Sequence, residues 1–105
     1  MTLTDVEMTR FWITLPEAVA FIRGALERMT GGELFVPRMP SVRMADVAAT
    51  FQAAVLVTGI RPGEKLHETV LAAHEESDGL PRPYCSNTNT EWLQGEALRA
   101  AVACV

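Results

Sequence analysis

Thiols and phenols are scarce in this chain. Cys85 and Cys104 are its only cysteines and Tyr84 its only tyrosine. Two cysteines make no disulfide framework, and no second metal-type pair lies near them to build a zinc site. Both are read as reduced thiols of a cytoplasmic protein. Basic charge is short as well: nine lysines and arginines against thirteen acids leave a net charge of −4. That balance excludes the basic face that nonspecific nucleic-acid binding requires. No apolar run approaches the roughly 20 residues that span a bilayer, and the polar, acidic opening MTLTDVEMTR is no signal peptide. The glycines, at 24, 31, 32, 59, 63, 79 and 95, never fall into G-x-G-x-x-G or G-x-x-G-x-x-G. A dinucleotide pyrophosphate therefore has no ready seat.

What is present reads as one domain covering residues 1–105, near the commonest domain size. A short aromatic strand is predicted at 11–13. Thr14, Pro16 and Glu17 then open a helix, with Phe21, Ile22, Ala25, Leu26 and Met29 on one stripe and Gly31-Gly32 as its stop. A second strand is expected at 33–36, a second helix at about 45–52, and the clearest strand at 54–60. A third helix is predicted over 65–76, a breaker-rich loop over 77–83, and a last helix over 93–102. Strands alternating with helices predict an α/β fold, with a small α+β arrangement as the alternative. The expected sheet is short, three-stranded and covered by three to four helices. No internal repeat or low-complexity tract interrupts it.

The stretch GIRPGEKLHE, residues 59–68, follows the clearest strand. Pro62 holds Arg61 out of the helical region, and Gly63 permits a sharp turn. If a helix starts there, its free N–H groups make an anion site, and Arg61 adds a forked donor suited to phosphate. Glu64 suits a ribose diol. The plainer reading makes Glu64 and Glu68 helix-start residues and Arg61 a solvated side chain. His67 and His74, seven apart, read as solvated helix residues, since no third ligand lies near them. The acids Glu75, Glu76 and Asp78 read as a solvated helix end.

MTRFWIT at 8–14, GGELFVPRMPS at 31–41 and GIRPGEKLHE occur in this order, followed by YCSNTNTEWLQGEALR at 84–99. Together they resemble the C-terminal substrate-binding portion of the UDP-N-acetylglucosamine dehydratases of bacterial sugar pathways, which are extended short-chain dehydrogenase/reductases. The resemblance covers nearly the whole chain. It implies that Arg10 and Arg61 contact the diphosphate of a UDP-sugar, with Glu64 beside the ribose. It also implies an NADP cofactor in the full-length family, although none is expected in this chain.

The family's proton transfer uses a tyrosine with a lysine four residues later. Here Tyr84 is followed at that distance by Thr88, and the family's Asp-Lys dehydration pair is absent. No catalytic residue is therefore assigned, no metal is expected, and the isolated chain is expected not to turn over. Met1 stands where a reading frame could begin. Composition does not separate a small natural gene from a piece of a longer one. Either way, a face that would meet a cofactor domain is expected to be exposed, favouring a homo-oligomer or a separate Rossmann-domain partner. Phe11, Trp12 and Trp92 are candidates for that face, although packing in the core is the expected role for any one of them. Three functions follow from different classes: a UDP-sugar-binding module, an interaction protein that has lost the ligand, and half of a split dehydratase.

Overall fold

The computed structural model describes residues 1–71, 80 and 83–103. Along the chain run β1 (Thr2–Leu3), β2 (Thr9–Phe11), α1 (Leu15–Arg28), β3 (Ser41–Arg43), α2 (Met44–Ala49), β4 (Leu56–Val57), β5 (Thr69–Leu71), β6 (Tyr84–Cys85) and α3 (Gly95–Ala103). The mixed α/β character is as predicted, but the single three-stranded sheet is not. The strands form three separate pairs: β1 with β4 in parallel, and β2 with β3 and β5 with β6 antiparallel. Each strand is two or three residues long, and backbone bonds beyond the strand ends and to a neighbouring loop extend the β2–β3 pairing. Trp12 N–H donates to Pro40 O at 2.9 Å, Ser41 N–H to Glu91 O at 2.9 Å, and Met44 N–H to Met8 O at 2.9 Å.

α1 starts where the sequence predicts. The Thr14 hydroxyl accepts the Glu17 amide at 3.3 Å, and proline in the first turn forfeits no helical hydrogen bond. After Arg28 the chain turns through Gly31 and Gly32 at φ 133° and 76°. The Glu33 carboxylate closes that turn on the amides of Thr30 (3.0 Å) and Gly31 (2.6 Å) and on the Thr30 hydroxyl. These donors, the Thr30 hydroxyl first, hold the Glu33 carboxyl below its ordinary range. α2 stops at Ala49, short of the expected Gln52, because Gln52 takes a left-handed φ of 53° that no right-handed helix continues.

Two predicted elements are corrected. Residues 33–36 are not a strand, since no strand among the described residues pairs with them. Residues 65–68 are not helical, and 69–71 form β5 instead; the remainder of that predicted helix, and most of the loop after it, lie outside the described residues. The helix loses because its backbone is claimed from the side. Glu68 N–H donates to the Ser86 hydroxyl at 2.8 Å, and Ser86 N–H returns to Glu68 O at 2.8 Å.

Met39, Leu71 and Tyr84 form the core, with Phe11, Val36 and Leu80 packed against it. The Tyr84 hydroxyl donates to Met39 O and accepts from Met39 N, each at 2.9 Å, and its ring lies 4.7 Å from that of Phe11. Outside this cluster Leu3, Met8, Val42, Ala48 and Leu98 are also buried. α1 has no buried residue, and every residue from 51 to 60 is exposed. The radius of gyration is 15.5 Å, against about 13 Å for a compact chain of about 100 residues. No helix among the described residues is long and apolar enough to cross a membrane.

Candidate functional site

β4 leads into the stretch that stood out in the sequence. Glu64 N–H donates to Arg61 O at 3.1 Å, with Pro62 and Gly63 between them and Gly63 at φ 87°. This is the type II β-turn pattern, which needs a left-handed residue at its third position. The turn presents two charges side by side. Arg61 Nε lies 3.6 Å from Glu64 Oε1, with side chains 78% and 32% exposed. Such an exposed pair is worth at most about 1 kcal/mol. An incoming ligand can therefore separate it.

Beyond the turn, the chain locks onto β2. Thr9 N–H donates to Leu66 O at 3.0 Å, and Phe11 N–H donates to Glu68 Oε2 at 2.8 Å. The Arg10 guanidinium spans the same junction: Nη1 donates to Thr9 O at 2.7 Å and to Leu66 O at 3.0 Å, and Nη2 to Lys65 O at 2.6 Å. Arg10, expected as a second phosphate fork, thus holds the loop that carries Arg61. The helix N-terminus expected beneath the anion is absent, because residues 65–68 are not helical. Positive charge at this loop comes from side chains alone.

Sequence reasoning missed Thr9, His67, Glu68 and Ser86 as members of one network. The Thr9 hydroxyl lies 2.6 Å from His67 Nδ1 and 2.7 Å from the Ser86 hydroxyl, and Thr9 and Ser86 are both buried. The available signal was positional: each of these residues sits inside one of the quoted motifs.

Phe11, Trp12 and Trp92 take the packing role and not the exposed-face one, each being partly buried. Phe11 packs on Tyr84, Trp12 is half-buried, and Trp92 is half-buried beneath the Arg43 guanidinium at 4.9 Å. The exposed apolar surface is largely aliphatic: Leu15, Ile22 and Leu26 on α1, and Val55, Leu56, Val57 and Ile60 around β4. Among the described residues no group of three or more acids, histidines or cysteines is placed to hold a metal; His74 and the acids after it lie outside them. A dinucleotide does not fit the loop either. Gly59 and Gly63 follow β4, but a β-turn and β5 come next, not a helix to take a pyrophosphate.

Residues 1–87 match a family described as polysaccharide biosynthesis protein. The chain is 42% identical over 77 residues to UDP-N-acetylglucosamine 4,6-dehydratase (inverting) of Campylobacter jejuni, a match covering 71% of this chain and 23% of that protein. It is 36% identical over 85 residues to the capsular polysaccharide biosynthesis protein CapD of Staphylococcus aureus, covering 71% and 14% respectively. The fold resembles the X-ray structure of Pen from Bacillus thuringiensis, with TM-score 0.79 at 24% identity over 99% of this chain and 39% of that one. The chain thus spans less than a quarter of the length of these curated relatives.

Proposed function

This chain belongs to the polysaccharide biosynthesis protein family, and on that premise we propose that it is a UDP-sugar-binding module gripping its ligand with Arg61, Glu64 and Arg10. Arg61 leaves its weak pair with Glu64 and offers a planar fork to the diphosphate. Glu64 then accepts the hydroxyls of the ribose. Arg10 fixes the loop from β2 and turns its remaining N–H groups to phosphate. The observation that carries this reading is the contrast within one loop. Lys65, Leu66 and Glu68 are bonded to β2, while the Arg61 and Glu64 side chains just before them are only loosely paired.

Titration calorimetry with UDP and UDP-N-acetylglucosamine tests the proposal. Saturable heat that disappears in Arg61→Ala is expected, and heat no greater than buffer at millimolar ligand would refute it.

The module binds but does not catalyse by itself, since Tyr84 has no lysine four residues on and the loop does not fit a dinucleotide. An NADP-carrying Rossmann domain would complete a dehydratase. The exposed aliphatic surface of α1 and residues 51–60 favours such a partner or a second copy of this chain. Dehydratase activity that appears only on mixing with a cofactor domain would identify the first. A dimeric mass in light scattering, with no ligand heat, would support the second reading: an interaction protein working as a homo-oligomer.

A further inference from the structure

The hydroxyl pair behind the loop fixes where the protons lie. Ser86 is fully buried and Thr9 nearly so, and three contacts join them to their surroundings: Glu68 N–H to the Ser86 oxygen, Ser86 to Thr9, and Thr9 to His67 Nδ1. Two hydroxyl protons must serve the last two contacts. If Ser86 donates to Thr9 and Thr9 donates to Nδ1, every proton and every contact is used. If instead Nδ1 carries a proton and donates to Thr9, one hydroxyl proton is left without an acceptor among the described residues, inside a buried site. Buried polar hydrogens are seldom left so. Only the first arrangement satisfies the set.

The trio superficially resembles a nucleophile with its base. Burial argues against that: neither hydroxyl is open to a substrate, and the Ser86 oxygen is already occupied by a backbone amide. The group that remains available is the other ring nitrogen. His67 is half-buried, and its Nε2 has no hydrogen-bond partner among the described residues.

We infer that Thr9 and Ser86 lock His67 as its Nε2–H tautomer, and that this N–H is a further ligand donor, serving an acceptor oxygen of the nucleotide held at Arg61. The second half of this inference rests on the UDP-sugar reading; the first half does not. His67 is then a binding residue oriented by a relay, and the polar residues of three separated motifs act as one device.

Long-range proton–nitrogen NMR of the uniformly labelled full chain reads the tautomer directly. The expected result is a bare Nδ1 and a protonated Nε2, retained in Thr9→Ser and lost to a mixture in Thr9→Val. A protonated Nδ1, or the mixture of a free imidazole in the native chain, would overturn the assignment. Titration with UDP then reads the donor role. The Nε2 signal should shift with the same saturation as the Gly63 amide, and UDP saturation without that shift would overturn the role. Side-chain replacement separates binding from scaffolding. His67→Gln, whose amide nitrogen reaches the place of Nε2, should retain most of the affinity. His67→Asn, which reproduces only Nδ1, should lose about tenfold, the scale of one hydrogen bond. The opposite order would assign His67 a structural role through Nδ1. An absence of any UDP binding would sink the donor role together with the UDP-sugar reading, with the tautomer decided separately by the ligand-free spectra.

Discussion

Two regions of this molecule obey different rules. Around Tyr84, nine residues drawn from four stretches of the chain (Thr9, Arg10, Phe11, Met39, Leu66, His67, Glu68, Leu71 and Ser86) close on one another through apolar packing and directed hydrogen bonds. Along α1 and residues 51–60 the same chain carries an equally apolar sequence and buries almost none of it. A helix of α1's length gains most of its stability from burying an apolar face, and a parallel pair such as β1–β4 is ordinarily covered on both sides. The first region is a finished interior. The second leaves its apolar side chains open to solvent.

Substitutions in the two regions should therefore diverge, and the sharpest break comes from the core. Leu71→Ala, at a fully buried site, is expected to cost about 2–5 kcal/mol, read as a lower midpoint in urea unfolding. Tyr84→Phe keeps the ring but strands the amide of Met39, whose carbonyl still accepts from Asn89 Nδ2 at 2.8 Å; about 1–3 kcal/mol should be lost on the same measurement. Arg61→Ala is expected to leave stability within about 0.5 kcal/mol, as for an exposed ion pair, while UDP heat vanishes. A large stability loss there would blur the line between scaffold and grip. In the uncovered region, Leu26→Lys and Leu56→Lys should barely change the unfolding midpoint of dilute chain but reduce the mass seen by light scattering. Unchanged mass would show that this face does not mediate self-association.

The smallest expected effect concerns acid. Because the folded Glu33 carboxyl lies below its ordinary range, its contribution to the 30–33 turn is complete above the ordinary carboxylate value. That contribution is lost only as pH falls through the lowered one. The Thr30 and Gly31 amide resonances should hold steady through the ordinary carboxylate range and move at more acidic pH. In Glu33→Gln that acid-side movement should be absent.

The sequence was a good guide where structure is decided locally. Thr14, Pro16 and the stripe from Phe21 to Met29 specify α1 without help, since capping and 3.6-residue spacing act within a few residues. Pro62 and Gly63 likewise specify their turn. It misled at 65–71, where the spacing of Leu66, Val70 and Leu71 fits a helix, yet Ser86 and β6 take the backbone as a strand. It misled again at 33–36, a strand in composition with no neighbour to pair with. Neither Ser86 nor a missing neighbour leaves any trace in the local pattern.

The letters alone thus determined the family, the start of α1, the proline-glycine corner and the identity of the charges at its tip. Those depend on side chains a few positions apart or on motifs carried in order. Only the tertiary structure decided that Arg10 is bonded to the carbonyls of the loop and that a buried threonine and serine stand behind His67. It also decided which apolar residues lie bare. Each of these is a contact between residues far apart along the chain, and such contacts are chosen by competition among all the donors, acceptors and surfaces that folding brings together.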